Sequence, residues 1–200
     1  AIAVRGLEDP LRRCNSLSDE EKVIMDGIIS LLNEYTLWGK VSGFSLNSQA
    51  ELAAAYRYLS QKRSVFALTA LYEPFGLAPL EAMSCGLPAV VTKNGGPSES
   101  LIEDKKRFGV LVDPFDTESI AKGLLEAVGE QEKWVHLQKA GIRRVKDNYT
   151  WQQTGEGYEK ILQAIQKEPM PKTRIEIPDY FTSPSPKNDI SLNKLTQLYL

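Results

Sequence analysis

The stretch "LYEPFGLAPLEAMSCGLPAVVTKNGGP", Leu71 to Pro97, places two carboxylates, Glu73 and Glu81, eight positions apart around a Phe-Gly-Leu turn. Pro79 suits the first turn of a helix, where a missing N–H costs nothing. The amides of Gly76, Leu77 and Ala78 would then be free at the helix start, which is a ready anion site for a diphosphate. A carboxylate beside a diphosphate is repelled by it, but becomes useful when it accepts hydrogen bonds from a pair of vicinal hydroxyls. Glu81, one helical turn in, lies at the reach of a ribose on one side, and Glu73 lies toward a sugar on the other. A diphosphate between two polyols describes a nucleotide sugar. The plainer reading makes Glu81 a favourable acid near a helix N-terminus and Glu73 a solvated loop residue.

The flanking elements are those that would hold such a loop at a sheet edge. "SVFALTA", directly before it, is an apolar run without alternation, as expected of a strand buried on both faces. "PAVVT" and "GVLVD" are further strands, separated by a helix near "PSESLIED". Upstream, "AIAVRG" and "GKVSGF" read as strands. Between them "SLSDEEKVIMDGIISLLNEY" is a helix capped by Ser18, with Val23, Ile24, Ile28, Leu31 and Leu32 at helical spacing. "NSQAELAAAYRYLSQK" is an amphipathic helix opened by Asn47 or Ser48. Alternating strands and helices argue for an α/β fold with a parallel sheet covered by helices, which binds ligands at the carboxyl ends of its strands. Three helices follow, "DTESIAKGLLEAVG", "QEKWVHLQKAGIRRVKDN" and "TWQQTGEGYEKILQAIQK", the last opened by a Thr150/Gln153 capping box. Residues 1–167 form the expected domain, and residues 168–200 a proline-rich tail with a short terminal helix in "SLNKLTQLYL".

Composition narrows the classes. The 200 residues are 42% hydrophobic, enough to bury a core. A net charge of −2 leaves no footprint for nucleic acid or an anionic membrane surface. The two cysteines, Cys14 and Cys85, have no CxxC spacing, and a single histidine, His136, excludes a histidine metal cluster within this chain. No apolar run reaches the roughly 20 residues of a membrane span, and no signal peptide opens the chain. The expectation is a cytoplasmic enzyme or part of one.

The E-x7-E pair within "YEPFGLAPLEAMSCGLPAVVTKNGGPSE" resembles that of the retaining nucleotide-sugar glycosyltransferases of the GT-B fold. The resemblance covers roughly residues 1–167, with acids, Phe-Gly turn, Gly-Leu-Pro and Gly-Gly-Pro in order. Within that family, "GKVSGFSLNSQAELAAAYRYL" and "IPDYFTSP" are most similar to the bacterial sucrose-phosphate synthases. The resemblance implies a Rossmann-like parallel sheet with helices on both faces, the C-terminal half of a GT-B fold begun partway in. It implies transfer of glucose from UDP-glucose to fructose 6-phosphate, with no cofactor and no metal needed for the chemistry. Glu73 would be catalytic, holding hydroxyls of the donor glucose, and Glu81 would bind the ribose. The backbone of Phe75, Gly76, Leu77 and Ala78 would meet sugar and phosphates, and Phe44, Leu46 and Gln49 would border the uracil.

Each of these has a plainer role: core packing for Phe44 and Leu46, a helix-start polar residue for Gln49. The family's Arg and Lys that pair with the diphosphate have no counterpart here, since Arg5, Arg12 and Arg13 do not match their positions. The acceptor-binding N-terminal domain is likewise expected to be missing, so that the partners are a nucleotide-sugar donor, a sugar-phosphate acceptor and that domain, with neither nucleic acid nor membrane. Sucrose synthase or another retaining hexosyltransferase shares the same core, and a non-catalytic nucleotide-sugar-binding or interaction module is the reading from another class.

Elsewhere, Gly95 and Gly96 read as a tight turn or close backbone approach, Cys85 as a small buried residue and His136 as solvated. Trp151 reads as core, and Lys105-Lys106-Arg107 as a solvated turn between helix and strand.

Overall fold

The computed structural model describes residues 2–4, 11, 17–167, 181 and 183. The proline-rich segment around "IEIPDY", the terminal "SLNKLTQLYL", Cys14 and the arginines at 5, 12 and 13 lie outside these residues. The chain divides into two compact units, Ala1–Thr154 and Gly155–Leu200.

The first unit holds two parallel sheets. β1 (Ile2–Val4) pairs with β2 (Gly43–Ser45), and between them runs α1 (Asp19–Glu34). α2 (Gln49–Gln61) leads to the principal sheet, β3 (Phe66–Leu68), β4 (Ala89–Thr92) and β7 (Val110–Val112), in the order β3-β4-β7. α3 (Leu77–Ser84) joins β3 to β4. α4 (Pro97–Ser100) and a hairpin of β5 (Ile102–Glu103) and β6 (Lys106–Arg107) join β4 to β7. α5 (Thr117–Val128) and α6 (Gln131–Asn148) follow, then α7 (Trp151–Lys167), whose first turn belongs to the first unit.

β4 is the centre, buried on both faces along its whole length. Its alternating side chains feed two cores, as a two-residue period requires. Ala89 and Val91 pack with Leu80 and Met83 of α3, Leu101 and Val145 of α6. Val90 packs on the other face with Val110, Val112 and Ala127 of α5. Helices therefore cover both faces of a parallel sheet, the expected α/β class.

Local signals behave as read. The Ser18 hydroxyl accepts from the Glu21 amide while the Glu21 carboxylate accepts from the Ser18 amide, a complete capping box; the Ser18 hydroxyl's own bond to that carboxylate, then the amide's, holds the Glu21 carboxyl below its usual range. Ser48 caps α2, and the Gln153 amide donates to Thr150 Oγ1 (3.2 Å).

Four expectations fail. β3 is half-buried, with Ala67 exposed, because among the described residues it is an edge strand bonded to β4 alone. On α1 the buried stripe is Met25 and Leu32 with Ile28 and Ile29, which pack on Leu11. Val23, Ile24 and Leu31 are exposed. Apolar residues wrap more than half of that helix, and two faces at i, i+3, i+4, i+7 compete. Trp151 is 92% exposed, since the first turn of α7 presents it outward from the core. The helix at "PSESLIED" stops at Ser100, and Asp104 and Lys105 take left-handed φ values of 45° and 69° to turn a β-hairpin.

Candidate functional site

Because β3, β4 and β7 are parallel, the chain leaves all three at the same edge, and three loops meet there. The loop after β3 is sewn to the loop after β4. The Glu73 amide donates to the Asn94 carbonyl (3.1 Å), and the Gly96 amide donates back to the Glu73 carbonyl (3.0 Å). Asn94 Nδ2 donates to the Leu71 carbonyl (2.9 Å), and the Asn94 amide to Thr92 Oγ1 (3.2 Å). This approach explains the glycine pair. Gly95 has φ 100°, and a Cβ there would sit 2.1 Å from the Glu73 carbonyl oxygen. After β7, Asp113 accepts from Lys93 Nζ (2.7 Å) and from the Phe115 amide (3.0 Å), and these bonds hold its carboxyl below the usual range.

The loop then turns into α3 through Gly76, whose φ of 89° is in the left-handed region, with Pro79 buried in the first turn. The side chain of Glu73 folds back onto this turn. Its Oε1 accepts from the Gly76 amide (2.9 Å) and from the Phe75 amide (3.4 Å). The Gly76 amide, expected to be free, is therefore occupied by a neighbouring carboxylate. A carboxylate is itself an anion, so it takes the donors that any anion would take. The amides of Leu77 and Ala78, first and second in the helix, have no acceptor among the described residues.

Glu81 lies one turn further, half-buried, in a cleft of about 160 Å³ lined by Gln49, Leu52, Ala53, Tyr56, Ser84 and Cys85. Gln49 and Glu81, separated by 32 positions, thus share one wall-to-wall site between α2 and α3. Burial, then the charge of Glu81 and of Cys85, pushes the Tyr56 phenol up from its ordinary value. Tyr56 also sets its ring edge-on to Phe66 of β3, 5.7 Å between centroids. The sequence reading did not single out Tyr56; its signal was a polar-tipped aromatic on the α2 face that carries Gln49, two turns along. Phe44 and Leu46, half-buried at β2 and just beyond, line neither this cleft nor the next.

A second cleft, about 360 Å³, opens at Phe75 between Tyr72, Pro74, Gly95, Gly96, Glu99 and Tyr149. Phe75 and Leu77 are 61% and 62% exposed, so the loop presents apolar side chains outward while its backbone faces inward. Cys85 is half-buried and its sulfur lies 3.8 Å from the Ser84 hydroxyl; His136 is exposed on α6, away from these residues. The edge thus offers helix-start amides suited to an anion, flanked by two carboxylates suited to hydroxyls, with a half-buried tyrosine beside one of them.

Residues 26–144 match the model of the family described as glycosyl transferases group 1. A probable sucrose-phosphate synthase of Beta vulgaris is 33% identical over 156 residues, 78% of this chain and 15% of that protein. Sucrose-phosphate synthase 4 of Arabidopsis thaliana is 31% identical over 200 residues, 98% of this chain and 18% of that protein. The chain therefore spans less than a fifth of these relatives' length. Among solved structures, the sucrose-phosphate synthase of Thermosynechococcus elongatus superposes with a TM-score of 0.60 at 28% identity, covering 81% of this chain and 38% of that one. The catalytic domain of starch synthase IV from Arabidopsis thaliana, solved with ADP and acarbose, reaches 0.51 at 14% identity over 82% of this chain and 37% of its own, a likeness of fold alone.

Proposed function

The chain belongs to the group 1 glycosyl transferases, and from that premise we propose that it is the donor-binding part of a sucrose-phosphate synthase, transferring glucose from UDP-glucose to fructose 6-phosphate. The observation that carries this reading is the start of α3, where backbone amides stand between Glu73 on one side and Glu81 on the other. The likeness to plant and cyanobacterial sucrose-phosphate synthases supports the choice of sugar and acceptor.

In this reading the donor diphosphate sits against the amides at Phe75 to Ala78, and the Glu73 carboxylate leaves the Gly76 amide to accept hydroxyls of the glucose. Glu81 takes the ribose diol in the cleft it shares with Gln49 and Tyr56. In the same reading Gln49 borders the base, together with Phe44 and Leu46 at and just beyond β2. Departure of UDP is stabilised by preorganised amides and by cations supplied from outside the described residues. The reaction retains configuration, uses no bound metal for its chemistry and takes place in the cytoplasm. Among the described residues no helix is long and apolar enough to cross a membrane.

Calorimetry with UDP and UDP-glucose tests the assignment. Losing a charge-assisted hydrogen bond costs about 1.5–3 kcal/mol, so Glu81→Ala is expected to weaken UDP itself roughly tenfold or more. Glu73→Ala is expected to spare UDP and to impair use of UDP-glucose. Unchanged UDP affinity in Glu81→Ala overturns the ribose role, and equal losses for both ligands in Glu73→Ala overturn the division between the acids.

A further inference from the structure

Between the β5–β6 hairpin and α6 lies a cleft of about 590 Å³ that shares no lining residue with the clefts at Phe75 and Glu81. The hairpin contributes Lys106 and Arg107, and the helix contributes His136, Lys139, Arg143 and Arg144. Two acids also line it, and both are already engaged. Glu103 pairs with Arg144, and Asp147 accepts from Arg143 Nε (3.4 Å). Arg144, 7% exposed, forms the floor: its Nε donates to the Ser100 carbonyl (3.1 Å), and its guanidinium lies over the rings of Phe108 and Tyr149.

Lys106, Arg107 and Lys139 are left without a carboxylate partner among the described residues. They come from two separate elements that face one another across a recess, on a chain whose net charge is −2. Like charges gathered in one recess repel one another, and a multiply charged anion between them relieves that repulsion. An arginine fork and two lysine ammonium groups suit a phosphate, which offers three oxygens and close to two negative charges near neutral pH. The cleft is larger than a bare phosphate requires, and Asn148, Ala140 and Phe108 line the remainder with both polar and apolar surface.

The geometry points to a second, anion-binding site here, taking a phosphomonoester group, separate from the donor-binding edge. Isothermal calorimetry on the 200-residue chain at constant ionic strength, with UDP held at saturation, tests it using inorganic phosphate, a hexose 6-phosphate and the free hexose. Phosphate and its ester bind; the free hexose does not. Tighter binding of the ester assigns an esterified ligand, and equal binding assigns the free ion. The double charge reversal Arg107→Glu/Lys139→Glu abolishes the heat, each lost charge-assisted bond being worth roughly tenfold, whereas Lys122→Glu on α5 leaves it unchanged. If the double variant melts early, Lys139→Gln alone is expected to weaken binding roughly tenfold. Amide shifts on phosphate addition to the unaltered chain fall at 103–108 and 136–148. No binding of either phosphate, affinity indifferent to the reversals, or shifts centred on Gly76 to Glu81 overturns the site.

Discussion

Glu73 illustrates how one side chain can belong to both the fold and the ligand site. Its backbone exchanges hydrogen bonds with Asn94 and Gly96, which places it, while its carboxylate closes on the amides of Phe75 and Gly76. In the proposed function an incoming diphosphate displaces that carboxylate, so Glu73→Ala is expected to bind UDP at least as tightly as the unaltered chain, read by calorimetry. The paired glycine opposite is stricter. Gly95→Ala would bring a Cβ to 2.1 Å from the Glu73 carbonyl oxygen at a φ of 100°, so either the turn opens or the loop moves. Thermal or urea denaturation should show a loss of at least about 2 kcal/mol, the range typical of strain at a special backbone conformation. A glycine doublet at a strand end is legible as a close approach; which backbone approaches it is not.

At the scale of elements, the loops rather than the strands decide how firmly the edge is held. Lys93 leaves β4 and Asp113 leaves β7, and their pair ties the two exits together. A carboxyl held below its ordinary value binds fewer protons folded than unfolded. Its stabilisation is therefore present at neutral pH and is lost as the pH falls through the lowered value. Asp113→Asn should flatten the acid limb of a melting-temperature profile and leave the alkaline limb unaltered. Both members are substantially solvated, so the effect is small. The β5–β6 hairpin offers a change of the opposite sign. Its two central residues, Asp104 and Lys105, both have positive φ, the geometry in which Asn-Gly is favoured. Asp104→Asn/Lys105→Gly should raise stability by about 1 kcal/mol, visible as a higher melting temperature.

For the molecule as a whole, the charge balance at the carboxyl edge limits what the 200 residues do alone. The amides at a helix start amount to roughly half a positive charge, and Glu73 and Glu81 oppose it nearby. Lys93, a cation at that edge, is already paired with Asp113. Loss of even one preorganised donor at a developing anion commonly costs about 10²–10³ in rate. The chain covers 38% of the solved synthase that it resembles. Incubated with UDP-glucose and fructose 6-phosphate, the 200-residue chain is expected to bind the donor weakly and to form no measurable sucrose 6-phosphate. Product at an enzyme-like rate would overturn the roles given to the edge residues.

What the sequence determined by itself is local or periodic. The order of strands and helices outside the β5–β6 hairpin, the caps at Ser18, Ser48 and Thr150, and the helix start at Gly76 follow from interactions spanning a few residues, and each is found where those interactions place it. Tertiary structure decided the rest, because it depends on which distant segment arrives opposite. Periodicity on α1 allowed two buried faces, and Leu11 with Leu17 and Leu37 selected the one at Met25 and Leu32. The apolar run at Phe66 promised two covered faces, yet one neighbouring strand left it at an edge. Trp151 reads as a core residue by its type and is exposed. At the site, Glu81 acquired Tyr56 and Gln49 from another helix, and Lys93 acquired Asp113 from another strand. Spacing along a chain names the groups that can do chemistry; packing between remote segments sets which of them face one another.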